Sequence, residues 1–357
     1  MNIVIAAGGT AGHVNPAVAL ARALADDAVT FIGTGSGLES SVVPRAGYEL
    51  DTIEIAGFDR AKPARLPLVG AKALKAIGAA RKLLAERNAH VVVGMGGYVS
   101  LPVCIAARTR SIPVILHEQN IVLGLANKVS KPFARKIGVS FEETLRSVGE
   151  RGVYTGNPVL ESIAQLDRAT ARAGSYEHFG LDPSRTTVLV FGGSLGAQTL
   201  NSAAPALARR WAARDDIQIL HISGRSSQGQ ASGSDLGPAY HRVEYADEMA
   251  MAYAVADVCI CRGGATTVAE LGAVGLPAVI VPYPHHRDRQ QERHGAILAA
   301  AGAATCVPDS QATAERLGTE VERVVDGSAL GAMAAAARRL GRPDAARHLA
   351  ALVGEAA

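Results

Sequence analysis

Two glycine-rich segments with the same spacing constrain this chain more than any other feature. They are Gly8-Gly9-Thr10-Ala11-Gly12 and Gly192-Gly193-Ser194-Leu195-Gly196. Each follows an apolar run that predicts a strand (residues 2–6 and 187–191), and each precedes a predicted helix (residues 14–25 and 197–213). A strand, a glycine turn and a helix make the first part of a βαβ unit. The repeat therefore predicts an α/β chain with two Rossmann-like halves, each built on a parallel sheet.

Apolar patterning predicts further strands in both halves, with helical segments between them. These strands are residues 29–33, 49–55, 91–94, 114–117, 136–139, 257–261 and 277–281. At 357 residues the chain is long enough for two domains. We place the boundary within residues 154–173, which gives domains at 1–157 and 158–335. The tail, residues 329–357, is a predicted helix interrupted at Pro343, and spacing alone leaves open which half it packs against.

Composition argues against several classes of protein. Apolar residues make up 48% of the chain and there are 38 glycines, which is typical of an α/β protein and not of a disordered one. The formal net charge is only +3, so it gives no support for nucleic acid binding. The chain begins as a strand and has no apolar run of about 18 residues, so we expect neither a signal peptide nor a transmembrane helix. We interpret Cys104, Cys259, Cys261 and Cys306 as buried, reduced side chains of a cytoplasmic protein.

The stretch 257–291 carries the strongest indication of a ligand site. Arg262-Gly263-Gly264 turns from a strand into a helix predicted at 265–274, whose first N–H groups attract an anion. Glu270 has two oxygens that can accept from the hydroxyls of a ribose, and Gln290-Gln291 offers amides suited to a sugar. Together these features predict a nucleotide-sugar pocket. A structural glycine turn followed by a helix with a solvated glutamate explains the same residues about equally well.

Polar and glycine-rich segments also follow strands of the first half. Residues 94–100, Gly-Met-Gly-Gly-Tyr-Val-Ser, form a third glycine loop, which with the loop at 8–12 could cradle a diphosphate through backbone N–H groups. Two tight turns without a ligand are the alternative. His13 begins a helix, where its cationic form is disfavoured, so it is a candidate neutral base. His117-Glu118-Gln119-Asn120 lies at the end of the predicted strand 114–117, and we interpret it as part of the same site.

The sequence lacks the signatures of common cofactors and metals. Neither glycine segment matches G-x-G-x-x-G, and G-x-x-x-x-G-K-[ST] is absent, which argues against NAD, FAD and an ATP-hydrolysing P-loop. His285-His286 with Asp288 lacks further ligands, and no D-x-D pair follows a strand. We therefore expect no cofactor and no metal, and we expect helix N-termini to stabilise the charge of a leaving group.

Basic residues are concentrated between Arg60 and Arg87, where the only acidic residue is Glu86. Apolar residues alternate with them at helical spacing. A basic amphipathic helix without acidic partners is typical of a surface that lies on anionic lipid, so region 60–87 is a candidate membrane face. An ordinary surface helix that turns its apolar side to the core is equally compatible.

Seven motifs, in order along nearly the whole chain, resemble those of the MurG family of glycosyltransferases: GGTAGHVNP, GMGGYVS, LHEQN, TGNP, FGGSLGAQ, CRGGATTVAEL and DRQQ. The resemblance implies a GT-B fold, in which two Rossmann-like domains face a deep cleft. It implies transfer of GlcNAc, with inversion, from UDP-GlcNAc to the 4-hydroxyl of MurNAc in undecaprenyl-diphospho-MurNAc-pentapeptide (lipid I to lipid II of peptidoglycan synthesis). It also implies a peripheral protein on the cytoplasmic face of the cell membrane.

The resemblance further assigns roles to domains and residues. The N-terminal domain would take the lipid acceptor, the C-terminal domain the UDP-sugar, and a helix at about 336–357 would pack on the first domain. Donor contacts would come from Thr10, Ala11, Gly12, Asn120, Ser194, Ala246, Ala265, Thr266, Thr267, Val268, Ala269, Glu270, Gln290 and Gln291. We assign the acceptor diphosphate to Gly9, Gly12, Gly96, Gly97 and Tyr98. The motifs do not settle the general base, for which His13 is the candidate.

Three positions depart from the family pattern. Ala11 replaces a usual Gly, Gly263 replaces a common Ser, and Leu160 replaces an Arg near the donor, whose contact Arg262 or Arg225 would have to supply. Three other functions also fit the sequence. They are a related transferase with a soluble acceptor, a UDP-GlcNAc 2-epimerase on a similar fold, and a non-catalytic module that binds a nucleotide sugar at a membrane.

Overall fold

The computed structural model describes residues 1–55, 66–193, 196–224, 236–285 and 288–357. These residues form two compact units. Unit 1 is Met1–Leu160 together with Asp344–Ala357, and unit 2 is Glu161–Pro343. The chain therefore leaves unit 1 once and returns to it at its end.

Unit 1 contains, within its described residues, a seven-stranded parallel sheet. Its strands are β1 (Asn2–Ala6), β2 (Ala28–Gly33), β3 (Glu49–Thr52), β4 (Val91–Gly94), β5 (Val114–Glu118), β6 (Lys136–Val139) and β7 (Gly152–Tyr154). Their order is β3-β2-β1-β4-β5-β6-β7, so the direction of winding reverses between β1 and β4. Doubly wound sheets bind ligands at the carboxyl ends of the strands beside such a reversal. The helices are α1 (Ala11–Ala23), α2 (Glu39–Arg45), α3 (Leu66–Glu86), α4 (Gly97–Thr109), α5 (Leu125–Ser130) and α6 (Leu145–Val148).

Unit 2 repeats this plan with six described strands. They are β8 (Thr186–Phe191), β9 (Ile217–Ile222), β10 (Tyr240–Val243), β11 (Val258–Cys261), β12 (Ala278–Ile280) and β13 (Ala304–Cys306), in the order β10-β9-β8-β11-β12-β13. The winding reverses between β8 and β11. The helices are α7 (Glu161–Ala164), α8 (Arg168–Phe179), α9 (Gln198–Arg210), α10 (Met249–Val255), α11 (Ala265–Val274), α12 (Gln290–Ala300), α13 (Ala314–Val325) and α14 (Ala329–Leu340).

The predicted α/β class with two parallel sheets is confirmed, and the predicted strands 2–6, 91–94 and 136–139 have the observed bounds. Four strands were not predicted: β7, β9, β10 and β13. The predicted start of the first helix is wrong, because α1 begins at Ala11 and not at residue 14. Thr10 is extended, and its carbonyl already accepts from the N–H of Val14 at 3.1 Å. Ala11, Gly12 and His13 therefore form the first helical turn.

The last helix, α15 (Ala345–Ala356), belongs to the core of unit 1. It follows Pro343, which lies in the break after α14 and cannot donate a helical hydrogen bond. Leu349, Leu352 and Val353 are buried in the same apolar cluster as β1 and α1. The final residues of the chain thus complete a core that the first residues begin.

Helix α3 turns its apolar side to unit 1, where Ala76, Ala80 and Leu84 are buried at a spacing of four residues. On the opposite side Leu74 is 71% exposed. The side chains at positions 60–71, which include Arg60, Lys62 and Arg65, lie outside the described residues. In the part of the chain that the structure describes, no helix is long and apolar enough to cross a membrane.

The expectation that the basic residues of this region lack acidic partners is wrong. Lys75 pairs with Glu54, and Arg87 binds Asp51 and Glu49, while Lys82 lies 3.6 Å from Glu86 on its own helix. Most of the partners lie on or just after β3, which is distant in sequence, so local charge counting could not find them. The surplus of positive charge over residues 72–87 is therefore smaller than the sequence of this region indicates.

We expect Leu349→Ala to lower the free energy of unfolding of unit 1 by about 2–5 kcal/mol, because it leaves a cavity in a solvent-free core. Circular dichroism during urea unfolding reports both units, whereas fluorescence of the single tryptophan, buried Trp211, reports unit 2. The first signal should shift to lower urea while the second stays in place. Leu74→Ala on the exposed side of α3 is the control and should change stability by at most about 0.5 kcal/mol. Equal effects of the two substitutions would contradict the burial of α15.

Candidate functional site

The predicted site residues of unit 1 follow β1, β4 and β5, which are neighbours in the sheet. Ala11, Gly12 and His13 are half-buried in the first turn of α1, and Gly96-Gly97 starts α4. A Cβ on Gly97 would lie 2.5 Å from the carbonyl oxygen of Gly8, and Gly97 has φ +77. Only glycine fits this position, since its backbone touches the first loop in a conformation that other residues rarely adopt. The two glycine loops are thus in direct contact, and the neighbouring Tyr98 is 60% exposed.

A buried carboxylate, which the sequence reasoning missed, holds the first loop in shape. Glu39 is fully buried and accepts from the backbone N–H of Gly9 and of Thr34, both at 2.9 Å, and from the Thr34 hydroxyl at 2.6 Å. Burial alone would raise the pKa of Glu39, but these hydrogen bonds outweigh it and hold the pKa below its ordinary value. The N–H of Gly9 is occupied by this bond, so it is not free to bind a diphosphate. The sequence does contain one sign of this role: the glycine-rich segment 33–39, at the end of β2, includes an acidic residue, Glu39.

His13 is linked to the loop after β5. Its Nδ1 lies 3.0 Å from Oε1 of Gln119, whose Nε2 lies 3.0 Å from the carbonyl oxygen of Met95 and 3.1 Å from Nδ1 of His117. The other ring nitrogen of His117, Nε2, lies 3.0 Å from the carbonyl oxygen of Gly156. A Cβ on Gly96 would lie 3.0 Å from the ring of His13, so the absence of a side chain at Gly96 makes room for the imidazole.

Three of the four polar residues at the end of β5 and just after it are internal. His117, Glu118 and Gln119 are buried, and only Asn120 is half-exposed. Burial lowers the pKa of His117 to about 4, so this ring is neutral at ordinary pH. Glu118 accepts from Asn120 at 3.1 Å (backbone) and 3.3 Å (side chain), and from Gly124 and Asn127 at 2.8 Å each. The segment therefore shapes the loop, and Asn120 is the member that faces outward.

In unit 2 the predicted nucleoside residues form the first turns of α11, directly after β11. Ala265 and Val268 are buried, whereas Thr266, Thr267 and Ala269 are half-buried. Glu270 is buried, and its Oε2 accepts from the hydroxyl of Tyr253 at 2.7 Å. Burial raises the pKa of Glu270 to about 7, and the bond from Tyr253 opposes this only in part. Tyr253 was not predicted, because nothing in its sequence neighbourhood marks it as a partner of Glu270.

Gln290 and Gln291 begin α12, and Oε1 of Gln291 accepts from the backbone N–H of Tyr283 at 2.9 Å. A Cβ on Gly263 would lie 2.5 Å from the backbone oxygen of Gln291. The replacement of a common Ser by Gly263 therefore goes with a close approach of α12 to the turn after β11. Ala246 is half-buried between β10 and α10.

Several expectations fall outside these loops or outside the described residues. Ser194, Arg225 and His286 are not described, so the parts predicted for Ser194 and Arg225 stay predictions. Arg262 donates to the carbonyls of Val281 and Pro282 at 3.1 and 3.2 Å and pairs with Asp309. Its Nη1 is therefore held by the loops after β12 and β13, and its part as a replacement for the family's Arg at Leu160 stays a prediction. Leu160 itself packs against the core of unit 1.

A second histidine and amide pair supports the glycine loop after β8. Buried His221 lies 3.1 Å from Oδ1 of Asn201, and Nδ2 of Asn201 donates to the carbonyl of Ser223 at 2.8 Å. A Cβ on Gly196 would lie 2.2 Å from the same carbonyl oxygen. Burial lowers the pKa of His221 to about 4. The pair holds Ser223 against the end of this loop.

Comparison with known families gives a match for each unit. The glycosyltransferase family 28 N-terminal domain matches residues 3–139, and the glycosyltransferase family 28 C-terminal domain matches residues 187–349. A Nocardioides relative named UDP-N-acetylglucosamine--N-acetylmuramyl-(pentapeptide) pyrophosphoryl-undecaprenol N-acetylglucosamine transferase is 43% identical over 99% of this chain and 98% of its own length. A relative of the same name from Mycolicibacterium smegmatis is 42% identical over 98% of this chain and 92% of its own.

Solved structures agree with these matches. The crystal structure of MurG from Acinetobacter baumannii is 29% identical, with a TM-score of 0.75 over 99% of each chain. A UDP-GlcNAc 2-epimerase from Neisseria meningitidis, bound to UDP-GlcNAc, has a TM-score of 0.70 over 99% of this chain and 100% of its own, but is only 13% identical, so the likeness extends to the fold alone. The fold is GT-B.

Two of the buried glutamates, Glu39 and Glu270, predict opposite responses to pH because their pKa values are shifted in opposite directions. Glu270 has a raised pKa in the folded chain, so the folded state holds a proton that the unfolded state releases between about pH 4.5 and about 7, and folding is penalised increasingly across that window. Glu270→Gln should therefore stabilise unit 2 at pH 8 by up to about 3 kcal/mol and have little effect at pH 5. Fluorescence of Trp211 during urea unfolding measures this. A destabilised variant at pH 8 would contradict it.

Glu39→Gln is the matched control for this experiment. The lowered pKa of Glu39 means that its stabilising contribution is present above the unfolded pKa and is lost as the pH falls through the folded one. The substitution should destabilise unit 1 at pH 8, seen by circular dichroism, and this loss should shrink as the pH is lowered.

Proposed function

Because this chain belongs to the MurG family of glycosyltransferases, we propose that it carries out the reaction after which its relatives are named. It transfers N-acetylglucosamine from UDP-GlcNAc to the 4-hydroxyl of MurNAc in undecaprenyl-diphospho-MurNAc-pentapeptide, which converts lipid I to lipid II. The observation that carries this is the 43% identity over 99% of the chain, which extends through both units. A similarity confined to one unit would have supported only a shared nucleotide-binding or acceptor-binding domain.

Unit 2 takes the UDP-GlcNAc in this proposal. The N–H groups at the start of α11 face the nucleotide, and Glu270 accepts from the ribose hydroxyls. Because Tyr253 already occupies one oxygen of Glu270, the ribose is bound mainly through the other. Gln290 and Gln291 at the start of α12 bind the GlcNAc hydroxyls, Ala246 holds the uracil through its backbone, and Ser194 contacts the diphosphate.

Unit 1 takes the lipid acceptor. The contact between the two glycine loops supports a diphosphate site formed by Gly12, Gly96, Gly97 and Tyr98, where α1 and α4 begin. Gly9 contributes to this site through the shape of its loop, since Glu39 occupies its N–H. Thr10, Ala11 and Asn120 lie at the same edge of the sheet and, with Gly12, contact the donor sugar in this proposal.

The chemistry is an inverting displacement. His13 accepts the proton of the MurNAc 4-hydroxyl, and the hydroxyl oxygen forms a bond to the anomeric carbon of GlcNAc. The bond from that carbon to the β-phosphate oxygen breaks, and UDP leaves with the electron pair. The helix N-termini of unit 2 stabilise the charge that develops on the diphosphate, and the imidazolium returns its proton to water.

We expect His13→Ala to reduce lipid-dependent release of UDP from UDP-GlcNAc by about 10²–10⁴-fold, which is the range for loss of a general base. The assay compares release with and without a lipid I analogue and follows the disaccharide product. His178→Ala, at an exposed position on α8, is the control and should leave the rate unchanged.

The other outcomes separate the rival functions. Lipid-dependent release that survives His13→Ala would keep the transferase and remove His13 from its role. Release of UDP and ManNAc without lipid would indicate an epimerase, and transfer to a soluble sugar would indicate a different acceptor. Binding of UDP-GlcNAc without turnover in wild type would indicate a non-catalytic module.

We also propose that unit 1 binds the cytoplasmic face of the membrane peripherally. Exposed apolar side chains lie on three of its helices: Leu74 on α3, Tyr98 on α4, and Leu125 and Val129 on α5. Helices α3 and α5 both pack on α4, and Lys72 and Lys128 are exposed beside these residues in sequence. The pair of Lys75 with Glu54 is 76% and 88% exposed, so it holds the lysine only weakly away from anionic lipid.

The double variant Leu74→Gln with Leu125→Gln should reduce binding to anionic phospholipid vesicles by about tenfold or more, because each buried leucine contributes about 1.5–3 kcal/mol. Co-sedimentation measures it, with neutral vesicles as the comparison. Binding of UDP-GlcNAc should stay unchanged. Undiminished vesicle binding would exclude these side chains as the membrane contact.

A further inference from the structure

We propose that Gln119, supported by His117, fixes the ring tautomer of His13, so that Nδ1 carries the hydrogen and Nε2 carries the free lone pair. This inference rests on the proposed function, in which His13 accepts a proton. Gln119 and His117 are positioning residues: Gln119 contacts the base, and His117 acts on it only through Gln119. Four hydrogen bonds, all within unit 1, have directions that together decide the tautomer.

The orientation of the Gln119 amide is determined by the carbonyl of Met95. A carbonyl oxygen can only accept a hydrogen bond, and the nearest amide atom, at 3.0 Å, must therefore be the donor Nε2. A flipped amide would put Oε1 against this carbonyl oxygen, in a place from which water is excluded. The oxygen of the amide must then face the other way, toward His13.

This orientation decides which nitrogen of His13 is protonated. Oε1 of Gln119 can only accept, and it lies 3.0 Å from Nδ1 of His13, so Nδ1 must carry the hydrogen. In the neutral ring the lone pair is then on Nε2. A general base needs a lone pair at the nitrogen that meets the substrate, and the opposite tautomer would point its N–H there instead.

His117 prevents the amide from flipping. Its Nε2 donates to the carbonyl of Gly156 at 3.0 Å, which leaves Nδ1 as an acceptor for the second N–H of Gln119 at 3.1 Å. The low pKa of His117 keeps the ring neutral, so Nδ1 retains its lone pair at ordinary pH. Three bonds then run in one direction, from His13 through Gln119 and His117 to Gly156, with a branch from Gln119 to Met95.

The chain of bonds also remains intact when His13 takes up a proton. Nδ1 still donates to Gln119, and the new hydrogen is on Nε2. No group in the chain must rotate during the reaction, so the supporting residues cost no reorganisation. Because Gln119 is uncharged, it sets the tautomer without adding the negative charge that a carboxylate at this position would bring.

The tautomer can be measured directly in the wild-type chain. Protein labelled with ¹⁵N-histidine contains ten histidines, and the His13 signal is identified by its loss in His13→Ala. Two-bond ¹H–¹⁵N correlations show which ring nitrogen carries the hydrogen. We expect Nδ1–H for His13. An Nε2–H pattern in the wild type would overturn the proposal without any substitution at Gln119.

Gln119→Met removes the acceptor and keeps the length of the side chain. The His13 signal should lose the pure Nδ1–H pattern, and kcat should fall by about tenfold to about a hundredfold, part of the contribution of a general base. KM for UDP-GlcNAc should stay unchanged.

The control is Gln218→Met in unit 2, where a buried glutamine also makes three hydrogen bonds. It should lower stability without altering the His13 signal or kcat. An unchanged His13 signal and kcat in Gln119→Met would overturn the proposal. Failure of the proposed function would appear differently. Either the wild type would show no lipid-dependent UDP release, or His13→Ala would remain active. Neither result changes which ring nitrogen of His13 carries the hydrogen in the tautomer measurement.

Discussion

The glycines of the two loops have no side chains that could fix the loop conformation. In both units, buried polar groups next to the loop fix it instead. Glu39 holds the loop after β1 through the N–H of Gly9. Asn201 holds the carbonyl of Ser223 against Gly196. Such buried groups are stable only when their partners are complete, so the loop and its support must form together. These buried groups therefore fix the conformation of the loop backbone that a bound phosphate would contact.

Each unit uses a neutral histidine next to a side-chain amide for this purpose. His117 meets Gln119 in unit 1, and His221 meets Asn201 in unit 2. Burial lowers the pKa of both histidines to about 4, so neither changes charge at ordinary pH. A neutral imidazole donates a hydrogen bond at one nitrogen and accepts one at the other. It therefore determines whether the oxygen or the nitrogen of a neighbouring side-chain amide faces it. The two halves of the chain have reached similar supports with different residues.

Much of this fold could be predicted from the sequence, because strands buried on both faces are short apolar runs and their glycine turns are distinctive. The strands β7, β9, β10 and β13 were missed, since β7 and β13 are only three residues long and β9 and β10 contain His221, His241 and Arg242. The exposed parts of the site followed from residue types and motifs. Their partners did not: the role of Glu39 depends on pairing β1 with β2, and Arg262, which follows β11, meets Asp309, which follows β13, two strands further along the sheet. Hydrogen bonds between distant segments leave no local pattern in a sequence.

The return of α15 to unit 1 has a consequence for the order of folding during synthesis. A ribosome produces residues 1–160 first, yet the core of unit 1 is incomplete until Leu349, Leu352 and Val353 have emerged. Unit 2, whose residues are all contiguous, can close earlier. The half that is translated first is therefore finished last, and for most of translation it exposes the apolar surface of α1 that α15 will cover. Until α15 is made, this surface is open to contacts that the finished core excludes.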